Sequence, residues 1–217
     1  MATLTPFPFP NNAEYGYWEY KPDGATNLLI FVHGHGERGN GHRPELDRVL
    51  KIGIPRLINE KKWPDTAPFN QFVIIAPQYP VTAANMYPDT LKRFIEKMCI
   101  KHGIGMDRVY MVGISGGAIS VLNYIVKFDH VKACLAIAGQ GNTKLASRAT
   151  KTKVWLVHGE DDTVVKVSGS KNFVASYNLS SPKEPARFDL IPNYGHEGGV
   201  WDRAVSRPKY YEFMLKP

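Results

Sequence analysis

Apolar residues in this chain come in short dense runs separated by longer stretches of mixed polarity. The runs at 28–33 (LLIFVH), 72–76 (FVIIA), 108–114 (RVYMVGI), 131–138 (VKACLAIA), 154–158 (VWLVH) and 186–191 (ARFDLI) are short for helices and mostly lack polar–apolar alternation. Strands buried on both faces read this way. Residues 14–20 (EYGYWEY) are aromatic and lie between Asn11-Asn12 and Pro22-Asp23-Gly24. That pattern predicts a further strand, antiparallel and near an edge.

The intervening stretches follow a helical period. Residues 88–102 (PDTLKRFIEKMCIKH) place Leu91, Phe94, Ile95, Met98 and Cys99 on one face, with Pro88 in the first turn. Residues 116–128 (GGAISVLNYIVKF) have little polar surface and predict a buried helix. Helices are also expected over 44–58, 168–179 and 201–215, the last interrupted by Pro208. Strands separated by helices imply βαβ units: a mostly parallel sheet with helices on both faces. No repeat or linker divides the chain, so one α/β domain over 1–217 is expected.

Candidate chemistry lies where the runs end. Gly113-Ile114-Ser115-Gly116-Gly117 matches G-x-S-x-G, follows a predicted strand and opens a predicted helix. That is the setting of a nucleophile elbow, in which a strained serine stands at a helix amino end. The glycines leave room for the tight turn. A serine needs a base, and His196 is the only histidine after residue 158, in the glycine-rich loop NYGHEGG at 193–199. The acid should follow the run at 154–158, where Glu160, Asp161 and Asp162 all qualify by type. An oxyanion hole is expected from the backbone N–H groups of His35, in His33-Gly34-His35-Gly36, and of Gly116. Residues 34–39 (GHGERG) also match G-x-G-x-x-G, but the next helix begins too late for dinucleotide binding. Gln78, Tyr79, Gln140 and Trp201 follow strands or neighbour His196 and are candidates to line a substrate pocket.

Composition narrows the partners. Net charge is +7, yet no block of five like charges occurs, so no nucleic-acid partner is expected. No apolar run is long enough to span a membrane. The start, MATLTPFPFP, lacks a basic region and a long apolar core. It predicts a cytoplasmic chain, or a secreted one if a leader has been removed. Cys99 and Cys134 sit in apolar patterns and are expected to be buried free thiols. With neither C-x-x-C nor H-E-x-x-H present, no metal and no cofactor is expected.

Five segments carry a resemblance to a known group. FVHGHGERG (31–39), IIAPQYP (74–80), VGISGGA (112–118), VHGEDDTVV (157–165) and YGHEGGVWDRAVSRP (194–208) stand in one order along most of the chain. In them the chain resembles compact α/β-hydrolase serine esterases of the phospholipase/carboxylesterase and feruloyl-esterase-like type, including the branch labelled predicted peptidases. The resemblance implies the α/β-hydrolase fold and ester hydrolysis through an acyl-enzyme on Ser115; the little sequence between core elements leaves no room for a large lid, which fits short-acyl or carbohydrate-linked esters. Its H-G-x-x-D-x-x-V pattern places the acid at Asp162, with Val165 completing it, and supports His196 as base and His35 as an oxyanion donor. Three departures touch substrate and compartment: Lys166 stands where relatives often have Pro, Val205 where they have Tyr, and several relatives are exported whereas no leader is visible here. The alternatives are a peptidase on short peptides and an inactive binding module on the same fold.

Overall fold

The computed structural model describes residues 2–217. Eight strands form one sheet: β1 (Leu4–Phe7), β2 (Tyr17–Tyr20), β3 (Asn27–Val32), β4 (Phe72–Pro77), β5 (Val109–Ile114), β6 (Val131–Ile137), β7 (Lys153–Gly159) and β8 (Arg187–Ile191), in the spatial order β1-β2-β4-β3-β5-β6-β7-β8. β2 pairs antiparallel with β1 and β4, and the other pairs are parallel.

The apolar runs are dense because both faces of these strands are covered. Leu28, Ile30, Val32, Val73, Ile75, Met111, Cys134 and Leu156 pack on one face; Leu29, Phe31, Ile74, Tyr110, Val112, Leu135 and Val157 pack on the other. Successive strand residues point to opposite faces, so a strand with two buried faces cannot alternate in polarity. The first face is covered by α2 (Pro88–His102), α3 (Gly116–Ile125) and α4 (Val167–Asn178), the second by α1 (Gly53–Asn59), α5 (Gly198–Val205) and α6 (Pro208–Leu215). Leu91, Phe94, Ile95, Met98 and Cys99 of α2 are all buried. Both cysteines are free and buried, which raises the Cys99 thiol to about 11.

Three elements differ from the sequence pattern. β1 was not expected; it covers the free side of β2, which lies one place inside the edge and antiparallel, as expected of a strand near an edge. The stretch expected as one helix over 44–58 is a 3₁₀ segment, Glu45–Lys51, followed by α1. Gly53, at φ 55°, turns the chain between them in a conformation that L side chains rarely adopt. The carboxy-terminal stretch is two helices, divided before Pro208, whose ring cannot continue α5.

Chain direction across the sheet reverses around β3, with β4 on one side and β5 on the other. In open parallel sheets, the crevice at such a reversal, at the carboxyl ends of the strands, is where ligands bind. The opposite edge belongs to β8, which pairs only with β7 and is the least buried of the parallel strands. It is clipped from outside by Lys209 Nζ and Tyr210 Oη of α6, 2.5 and 2.8 Å from Asp189 Oδ2.

Candidate active site

Loops at the carboxyl ends of β3, β5, β7 and β8 converge on Ser115. This residue links β5 to α3 with φ 55° and ψ −120°. Such backbone costs about 1–3 kcal/mol and persists only where surroundings enforce it. A Cβ on Gly113 would collide with the Gly117 backbone, and a Cβ on Gly117 with the carbonyls of Val32 and His33. The glycines therefore let β3, β5 and α3 approach closely enough to hold the turn. The Ser115 N–H donates to the Ile137 carbonyl at 2.8 Å, carrying the ladder one residue past β5. The side chain stands where the first N–H groups of α3 have no helical partner.

Ser115 Oγ is 2.8 Å from His196 Nε2, and His196 Nδ1 is 2.7 Å from Asp162 Oδ2. Asp162 Oδ1 accepts the N–H groups of Val164 and Val165 at 2.9 and 2.8 Å. Burial alone would raise the Asp162 carboxyl. The His196 hydrogen bond and the two backbone N–H groups outweigh burial and hold it below the usual carboxylate range. An ionised carboxylate on Nδ1 requires a proton there, which leaves Nε2 free to accept from the serine hydroxyl. Glu160 and Asp161 are exposed, whereas Asp162 is buried.

Backbone bonds bring the acid and histidine loops together. Glu160 N–H donates to Ile191 O at 3.0 Å, and Asp161 N–H donates to Tyr194 O at 2.9 Å. Gly159 is needed here, because a Cβ on it would collide with the Tyr194 carbonyl. Trp201 of α5 meets the His196 ring edge-on, with centroids 5.4 Å apart.

His35 and Gly116 are neighbours: a Cβ on Gly116 would fall against the His35 ring, and one on Gly34 would lie 3.5 Å from Ser115 Cβ. The His35 ring is occupied elsewhere, its Nε2 bonded to the Ala84 carbonyl. Arg38, which sequence reasoning did not single out, organises this loop. Its Nε donates to His35 O at 2.8 Å, and its Nη1 donates to Val81 O and Ala83 O at 3.2 Å each. The signal was the Glu-Arg pair in GHGERG.

The four pocket candidates separate. Trp201 touches His196. Tyr79 is wholly buried and stacks on His33 at 4.4 Å; its hydroxyl lies 3.1 Å from the place a Gly116 Cβ would take. Gln78 also braces the loops: its amide holds Gly41 N–H at 2.9 Å, Glu37 O at 2.8 Å and Glu45 O at 2.7 Å. Gln140 is exposed and lies beside Gly169 of α4. A cavity of about 270 Å³ is lined by Gln78 and Tyr79 with Phe9, Tyr15, Met86 and Tyr87 among others, but not by Ser115, Asp162 or His196. Among the described residues, no group of His, Cys, Asp and Glu is placed to hold a metal, and no helix is long and apolar enough to cross a membrane.

No protein-family model matches the chain, and no curated protein matches it. Solved structures do. The chain is similar to a thermostable esterase at TM-score 0.68 and 20% identity, covering 99% of this chain and 62% of that one. It is similar to a ferulic acid esterase at TM-score 0.69 and 13% identity, over 99% and 98% of the two chains. It is also similar to a puromycin-hydrolyzing peptidase of Mycobacterium tuberculosis at TM-score 0.69 and 14% identity, over 98% of this chain but 40% of that one. The chain thus spans less than two thirds of the length of the first and third of these. Together with the sheet order, these likenesses establish the α/β-hydrolase fold. At such identities they establish the fold and not the reaction.

Proposed function

We propose that the chain is a serine hydrolase that cleaves carboxylic esters through an acyl-enzyme on Ser115. One observation carries this reading: a strained serine at a helix amino end, 2.8 Å from an imidazole whose far nitrogen is 2.7 Å from a buried carboxylate. In this reading His196 Nε2 takes the Ser115 proton as the hydroxyl attacks the ester carbonyl, then returns it to the leaving alcohol. Asp162 fixes the His196 tautomer and stabilises the imidazolium. The N–H groups of His35 and Gly116 receive the oxyanion. Water repeats the cycle on the acyl-enzyme. Neither a metal nor an organic cofactor enters the scheme.

Short-acyl or carbohydrate-linked esters suit the site. Residues 138–152, between β6 and β7, hold one 3₁₀ segment and no long apolar helix to serve as a lid. A ferulic acid esterase and a thermostable esterase among the similar structures support ester over amide; the puromycin-hydrolyzing peptidase keeps peptide hydrolysis as the competing reading. The test pairs a fluorophosphonate with rates on p-nitrophenyl acetate, p-nitrophenyl butyrate and an aminoacyl-p-nitroanilide. The expected result is a single adduct on Ser115 and faster ester turnover. An adduct on Ser120 or Ser168, or none, would overturn the mechanism; faster anilide turnover would transfer the assignment to peptides.

A further inference from the structure

His158 is the penultimate residue of β7, just before the acid loop. It is wholly buried, and its Nε2 lies 3.1 Å from Asp162 Oδ2, the same oxygen that His196 Nδ1 reaches at 2.7 Å. The Asp162 carboxylate therefore has four donors: Val164 and Val165 N–H on Oδ1, His196 and His158 on Oδ2. That fills the four acceptor positions of a carboxylate. Resting on the serine-hydrolase reading, we infer that His158 is a positioning residue: its Nε2–H holds Asp162 in place and shares the negative charge that His196 would otherwise receive alone.

The surroundings of the ring decide its tautomer. Nε2 faces two acceptors, Asp162 Oδ2 and Val165 O, the latter at 2.8 Å. A lone pair there would oppose both oxygens, so Nε2 carries the proton. Nδ1 is 2.8 Å from Ser170 Oγ, whose hydroxyl also reaches Gly139 O at 2.7 Å. Burial, the largest influence on His158, lowers its basicity and outweighs the pull of Val165 and Asp162 toward the charged form. The ring is thus a neutral imidazole with its one N–H on Nε2, and the single Ser170 hydroxyl proton lies between two acceptors, the Gly139 carbonyl and Nδ1. The titratable groups acting on it are Asp162 and, beyond that, His196. The ring joins β7, α4, the turn after β6 and the acid loop, so the carboxylate is anchored to the core and not only to its own loop.

The amide variants separate the two ring nitrogens. The Gln amide nitrogen can reach the position of Nε2, whereas that of Asn can reach only the position of Nδ1. His158→Gln should retain kcat within about threefold; His158→Asn should lose about 10- to 100-fold, the scale of a misplaced catalytic group. In His158→Asn the acid limb of the kcat/KM profile should also move to higher pH, since His196 then faces a carboxylate whose charge is less shared. Equal activity in the two variants, or loss confined to Tm with the pH profile unchanged, would reduce His158 to packing and overturn the inference. Nitrogen-15 NMR of the imidazoles reads the tautomer without turnover: Nε2–H is expected, and Nδ1–H would overturn the inference even in an active enzyme. Ser115→Ala tests the underlying reading separately, because full ester turnover in that variant would remove the nucleophile and leave the His158 tautomer unaffected.

Discussion

Asp162→Asn exchanges one oxygen for an NH₂ group and keeps the shape of the side chain. The remaining oxygen would keep the Val164 and Val165 N–H bonds, placing the NH₂ where Oδ2 now stands, 2.7 Å from His196 Nδ1. Two donors cannot face each other at that distance, so His196 must move its proton to Nε2. That proton then points at Ser115 Oγ, 2.8 Å away, and the ring can no longer accept the hydroxyl proton. By analogy with serine proteases the loss in kcat is on the order of 10⁴, about 5 kcal/mol of transition-state stabilisation. Asp161→Asn is the control. Its side chain is exposed, and its link to Tyr194 O is a backbone bond that the change leaves intact. A screened surface charge should cost less than about tenfold. The assay is kcat/KM for both variants on p-nitrophenyl butyrate, with circular dichroism to confirm folding. A crippled Asp161→Asn beside a near-normal Asp162→Asn would refute the reasoning. The same variant should alter acid stability. Because folding lowers the Asp162 carboxyl, this group stabilises the fold above the ordinary carboxylate range, and the contribution fades as pH falls through its folded value. Tm should therefore fall less between neutral and acidic pH in Asp162→Asn than in the parent chain.

Acetyl and butyryl esters should be cleaved faster than esters of about twelve carbons, since long acyl chains need apolar cover that the short β6–β7 connection does not provide; a rate rising steadily to that length would contradict the lidless site. Arg38→Ala should free the His35 carbonyl from its link to Val81 and Ala83 and lower kcat about 10- to 100-fold with a smaller change in KM; an unchanged kcat would show that the loop holds its shape unaided.

The sheet was readable because two-face burial leaves an unambiguous mark: runs such as LLIFVH and FVIIA contain no polar face to confuse with a helix. β1 left no such mark, since LTPF is half-exposed and contains a proline. The break at Gly53 was hidden because Leu46, Val49, Leu50 and Leu57 mimic one helical stripe while packing on two successive segments. Ser115 and His196 stood out by type and position. The choice of Asp162 among three acids needed the resemblance, because burial of one loop carboxylate depends on backbone N–H groups that composition does not reveal. Arg38 and Gln78 were harder still. Both act through carbonyls of residues distant in sequence: the Glu-Arg pair in GHGERG marks Arg38 as unusual but does not name its partners at Val81 and Ala83, and Gln78 reaches Glu37 and Glu45.

The placement of the parts has a consequence for the working lifetime of the molecule. Ser115 hangs from a central strand and Asp162 from the strand beside the edge, but His196 hangs from β8, which has one neighbour and a polar clip at Asp189. Edge elements open at lower free energy than the core they flank. The histidine would then detach while the serine elbow and the rest of the sheet remain native. Heat or denaturant should silence such a protein before it melts, and full activity should return as soon as β8 re-seats, without refolding of the whole chain.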